Sequence, residues 1–224
     1  MKKHFNLALL VVIMLVLLCL APAARATTIS VGDWIKLTAY NSLDSAGIMT
    51  YSVSHSNGGP VIGNYDTFCI QDNVYINYGV SYFVKDISGT VGEFETPMPT
   101  GAGPLAGAVD YLFYQFATGK YNTEFYTASN KLNNQADFQK ALWSLQNSGP
   151  PFVSSGTQWA IDLTTYTSNI SLHHSWGTKV LNIVNSNDQG VQNQLYNQVP
   201  EPATILLLGF GLVGLAGLSR KFRN

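Results

Sequence analysis

Between residues 27 and 199 this chain has no arginine. Its basic side chains there are Lys36, Lys85, Lys120, Lys131, Lys140 and Lys179, and the acidic residues outnumber them. A surface that meets nucleic-acid phosphates needs a clustered basic face, so nucleic-acid binding is excluded. Cysteine is nearly absent, with only Cys19 and Cys69. No Gly-x-Ser-x-Gly elbow, phosphate loop or dinucleotide fingerprint occurs. His173 and His174 are adjacent, point apart on regular structure and have no third ligand nearby, so neither a metal nor a cofactor is expected. Nothing in the spacing of Asp110 and Asp137 pairs them, and no nucleophile–base pair stands out, so an enzyme is not expected. Asn169-Ile170-Ser171 fits a glycosylation sequon.

What is present begins with the ends. Lys2 and Lys3 precede an apolar run from Leu7 to Leu20, which closes on Ala24-Arg25-Ala26. Residues 1–26 therefore read as a secretory signal peptide. Lipidation at Cys19 is disfavoured, because Leu18 stands where a small residue belongs. Cleavage after Ala26 removes Cys19 and leaves Cys69 alone. The body, 27–199, is rich in Ser, Thr, Asn, Gln, Gly and Tyr, as suits a neutral-to-acidic extracellular domain.

At the other end, residues 203 to 218 are almost all apolar and end in Arg220, Lys221 and Arg223. As a helix this run spans ~24 Å, against a bilayer core about 30 Å thick. A transmembrane helix over about 203–219 is expected, short but tolerable, with the basic tail on the cytoplasmic side. Pro200-Glu201-Pro202 stands just before it, and its two prolines hold the backbone extended. Val199-Pro200-Glu201-Pro202-Ala203, the glycine-rich apolar run and Arg220-Lys221 resemble the PEP-CTERM sorting signal of Gram-negative bacteria. The resemblance covers residues 200–224. It implies recognition by an exosortase-type transpeptidase at the inner membrane, then delivery to the outer envelope or the extracellular matrix.

The body reads as strands first and helices later. Alternation marks a strand in WIKLTAY, β-branched and aromatic residues before a turn signal mark one in GIMTYSVSHS (47–56), and DTFCIQ and GVSYFVKDIS (79–88) read as a third and a fourth. In DTFCIQ, Phe68 and Ile70 take one face and Thr67, Cys69 and Gln71 the other. Helical spacing follows from Leu105 to Phe116, over 135–147 and, more weakly, over 176–186. QLYNQV suits a final strand. The expected fold is α+β, with an antiparallel, barrel-like N-terminal half and a helical C-terminal half.

Cys69 on its strand and Gln139 on the helix over 135–147 form the candidate site. A thiolate held against a glutamine carbonyl carbon can displace ammonia and leave an internal thioester. Trp143, one turn beyond Gln139, is placed to keep water from that bond. Phe68-Cys69-Ile70 and Gln139-Lys140-Ala141-Leu142-Trp143, with Asp110-Tyr111-Leu112 between them, resemble the thioester domains of bacterial surface adhesins. The resemblance spans roughly residues 65 to 147. It implies covalent capture of an amine or hydroxyl on a surface protein or an exopolysaccharide. One departure is Gln71, where that family often has an acidic residue. Gln146 is the rival acyl donor, and Gln71 a poorer one. The alternative is that Cys69 is a small buried hydrophobe. The chain is then a non-reactive structural or carbohydrate-binding matrix protein, as its plentiful Tyr and Trp also allow.

Overall fold

A computed structural model describes residues 28–43, 46–72, 75–92, 102–149 and 156–197. The signal segment 1–26, the sorting motif Pro200-Glu201-Pro202, the span over 203–219 and the basic tail lie outside the described residues. Among the described residues, no helix is long and apolar enough to cross a membrane.

The fold is mixed. Strands β1 (Trp34–Leu43), β2 (Ala46–Ser54), β3 (Gly63–Thr67) and β4 (Ser81–Ser88) come first, with a small ribbon of β5 (Thr90–Val91) and β6 (Gly103–Pro104). Helices α1 (Gly107–Ala117), α2 (Lys131–Gln146) and α3 (Gln158–Ser168) follow, and β7 (Lys179–Val184) and β8 (Gln194–Tyr196) end the body. Six strands form one antiparallel sheet in the order β3-β2-β1-β4-β7-β8. Just past β3, Phe68 C=O accepts from Leu195 N–H and Ile70 N–H donates to Asn193 C=O, both at 3.1 Å. The chain leaving one edge of the sheet thus pairs with the strand at the other edge, curving the sheet into a half-barrel.

Alternation along the strands separates two cores. Ile35, Leu37, Met49, Tyr51, Val53, Val84, Leu181 and Ile183 share the inner cluster with Cys69. Ile48, Phe68, Ile70, Val180 and Leu195 point the other way and pack with the helices. At the centre of that second cluster Phe138 meets Phe68 edge-on at 4.9 Å, and Phe125 and Trp159 at 5.2 and 5.7 Å.

Three expectations are corrected. Residues 176–186 are not a helix, because Lys179–Val184 is a sheet strand between β4 and β8. Both of its faces are buried, so its apolar residues lost the alternation that marks a half-exposed strand. The C-terminal half is therefore not wholly helical, since β7 and β8 return to the first sheet. The regular strand within DTFCIQ stops at Thr67, and the residues after it change partner from β2 to β8. Helix α3, unforeseen, buries Trp159, Leu163 and Tyr166 along one side.

Phe138→Ala removes the ring on which the aromatic cluster converges and should lower stability by about 3–5 kcal/mol. Urea unfolding followed by circular dichroism measures this, with the midpoint falling and the slope unchanged.

Candidate functional site

The site follows from strand chemistry. In an antiparallel pair, alternate residues direct their backbone groups toward the neighbouring strand. Phe68 and Ile70 spend theirs on β8, and Cys69 faces Gln194 across the same ladder. The N–H and C=O of Cys69 therefore turn away from β8 and need partners elsewhere. Helix α2 supplies them with one side chain. Cys69 N–H donates to Gln139 Oε1 at 3.1 Å, and Gln139 Nε2 donates to Cys69 C=O at 2.6 Å. The carboxamide stands in for a missing strand. The Cys69 thiol donates to the same Oε1 at 3.4 Å. Cys69 is 3% exposed and Gln139 0%.

Burial dominates the electrostatics. It pushes the Cys69 thiol up to about 12, because a thiolate there has lost its water. The Trp143 indole opposes this shift. Its N–H is buried without a hydrogen-bond partner among the described residues. Asp72 pushes the same way as burial. The thiol is thus protonated at neutral pH, and reactivity toward Gln139 must come from placement rather than from ionisation.

The other sequence candidates lie elsewhere. Gln146 accepts from Ala106 N–H at 2.9 Å and donates to Pro104 C=O at 3.1 Å, tying α2 to the entrance of α1. Gln71 accepts from Asn193 N–H at 2.7 Å and extends the seam with β8. Asp110 receives Trp176 N–H and Thr178 N–H at 2.8 and 2.9 Å, a loop-fixing role. His173 and His174 diverge. The first reaches Tyr166 C=O and stacks on that ring, and the second lies against Trp176. Among the described residues no three His, Cys, Asp or Glu side chains gather as metal ligands.

Two features had no sequence signal. Gln194, 0% exposed, faces Cys69 and donates to Gln192 C=O at 3.0 Å, while its Oε1 has no hydrogen-bond partner. An open cleft beside Trp143 is lined by Tyr40, Asp72, Tyr75, Tyr78 and Gln192. The first arises from strand pairing between residues more than a hundred positions apart, and the second from the loop after residue 71 folding back over β1 beside helix α2.

The raised thiol pKa has a sign. Between the unfolded-state value, about 9, and about 12, the unfolded chain releases a proton that the folded chain keeps. Stability should then fall with rising pH across that window, by about 1.4 kcal/mol per unit, relative to Cys69→Ala. Parallel denaturant titrations of the two proteins measure the difference. A wild type that shows no relative slope carries no titrating thiol at position 69.

Comparison with known proteins reaches only the end of the chain. No curated protein and no solved structure shows significant similarity to it. Residues 198–221 match the PEP-CTERM protein-sorting motif, which marks an exported chain sorted at the membrane through exosortase recognition.

Proposed function

We propose that this exported envelope protein attaches covalently to its target through a thioester between Cys69 and Gln139. One observation carries the reading. The Cys69 thiol lies 3.4 Å from the Gln139 carbonyl oxygen, and the Cys69 backbone N–H donates to that same oxygen. The N–H is aimed where negative charge develops when sulfur adds to the carbonyl carbon. In that step the S–C bond forms and the C–N bond breaks. The thiol proton leaves with the amide nitrogen as ammonia, so no oxidant, metal or further reactant is needed. The Cys69 N–H remains to polarise the thioester carbonyl toward a nucleophile.

Trp143 supports the reading by position. It is half-buried one turn along α2, packs on the cluster that contains Cys69, and also lines the open cleft. It stands between the buried pair and the open cleft. Among the described residues that line the cleft none is a histidine or a lysine that could activate a hydroxyl, so a free amine is the fitting nucleophile. Capture consumes the bond, which makes the chain a single-use linker rather than an enzyme. The C-terminal tag delivers it: the apolar segment holds the chain in the inner membrane, the basic tail stays cytoplasmic, and an exosortase acts at Pro200-Glu201-Pro202. The second reading is a non-reactive matrix protein. It draws on the same carboxamide, because Gln139 already satisfies both backbone groups of Cys69.

Intact mass of the purified protein in mild detergent, beside Cys69→Ala, separates the two. The thioester makes the wild type lighter than its sequence by one ammonia and leaves Cys69→Ala at its sequence mass. Methylamine should then raise the wild type to one methylene above its sequence mass and release a titratable thiol. A wild type at full sequence mass with an alkylatable Cys69 overturns the proposal in favour of the matrix protein.

Trp143→Ala, in the thioester form, should shorten the lifetime of the bond in buffer and speed its opening by methylamine. Loss of the ammonia deficit over time, followed by mass, reads both rates. Unchanged rates remove Trp143 from the role of shield.

A further inference from the structure

The cleft beside Trp143 has a volume of about 330 Å³, near the lower end of the range for small-molecule sites. Its walls are aromatic. Tyr40, Tyr75, Tyr78 and Trp143 line it, with Tyr75 79% and Tyr78 69% exposed. Two large rings kept in water next to a concave surface are a feature of binding sites. Tyr78 is pinned, its hydroxyl donating to Thr38 C=O at 2.5 Å. Among the lining residues Asp72 is the one charged side chain.

These walls select a ligand by chemistry. With Asp72 the one charged side chain among the described residues that line the cleft, the site repels acidic saccharides and favours a cation. Aromatic faces accept both an ammonium group and the C–H face of a sugar ring. The volume suits a ring better than the slim end of a lysine side chain. We propose that the cleft docks a cationic amino sugar, a deacetylated hexosamine within a polysaccharide, with its amine toward Trp143. Docking stands on the cleft alone, whereas the covalent step rests on the thioester reading. In that step the ammonium first gives a proton to water. The free amine then adds to the Gln139 carbonyl carbon, the C–S bond breaks, and an amine proton passes to the Cys69 sulfur. The products are an amide and a thiol.

The test titrates a glucosamine oligomer into the purified chain in mild detergent, using calorimetry and intrinsic fluorescence. Cys69→Ala, which cannot form a thioester, reports docking alone. It should bind the glucosamine oligomer about 10-fold more tightly than the N-acetylated oligomer, and Asp72→Asn or Tyr75→Ala should weaken binding about 10-fold. In the wild type the bound oligomer should also become covalently attached, read as added mass. Docking to Cys69→Ala with no attachment in the wild type leaves the amino-sugar site standing and sinks the covalent step, and the thioester falls with it only if methylamine is not captured either. Equal binding of the acetylated oligomer, tighter binding of a lysine peptide, or indifference to both substitutions overturns the amino-sugar site. Capture of methylamine under those outcomes leaves the thioester standing.

Discussion

The pairing of residues 68–70 with β8 is the constraint on which the rest depends. It joins the two edges of the sheet and so decides which faces become cores. It also decides which backbone groups remain unmet. Phe68 and Ile70 bond to Leu195 and Asn193, and the alternation of an antiparallel ladder then leaves Cys69 with an N–H and a C=O facing the helices. A buried pair of that kind costs several kcal/mol if unsatisfied. Gln139 meets the demand from α2, because a primary carboxamide has the donor–acceptor pattern of a peptide group. The helix is placed by the aromatic cluster around Phe138, the residue just before Gln139. Strand register and helix packing thus converge on one side-chain pair.

The same burial has opposite consequences for the two partners. It holds the thiol in its protonated form and makes it a poor nucleophile in free solution terms. It also removes water as a competitor and fixes sulfur against a single carbonyl. Fixed geometry can supply effective molarities large enough to offset a low thiolate fraction. A merely structural cysteine would need the burial but not the shared oxygen. The backbone bonds to Gln139 serve either reading, and the added contact of the Cys69 thiol with Gln139 Oε1 is the feature that the structural reading does not require.

Much of this was legible in the sequence, and the gaps have physical causes. Strand β1 announced itself by alternation and the fully covered β2 by its β-branched and aromatic residues, as α1 and α2 did by helical spacing. The segment 179–184 did not, since a strand covered on both sides has no polar face to mark it. Helix α3 was hidden by its run of Thr and Ser on the exposed side. Cys69 and Gln139 could be named from their motifs, but nothing in the chain said that 68–70 would leave β2 for β8. Gln194 and the cleft tyrosines were invisible because their neighbours come from segments distant in the chain, whereas Asp72 was visible as an acidic residue one position beyond Gln71. The rival Gln146 had equal standing as a residue type, and only its bonds to Ala106 and Pro104 remove it.

Placement at a sheet seam also suits a bond that must form once and then wait. A loop could bring a cysteine near a glutamine, but its motion would spread the approach over many geometries. On the proposed reading, loss of ammonia deletes the Gln139 Nε2 bond to Cys69 C=O and leaves that buried acceptor unmet, at about 1–3 kcal/mol. The Cys69 N–H bond to Oε1 is kept, so the carbonyl stays oriented through formation and opening alike. What the helix gives up in one hydrogen bond it regains as a covalent tie to the sheet. When an amine later opens that tie, the Cys69 thiol returns and the Cys69 N–H keeps its bond to Oε1, but the new secondary amide in its ordinary trans form turns its one N–H away from Cys69 C=O. On the proposed reading the captured partner is then held through the nitrogen at the expense of that single bond, while the pairing of 68–70 with β8, on which the fold rests, is left as it was.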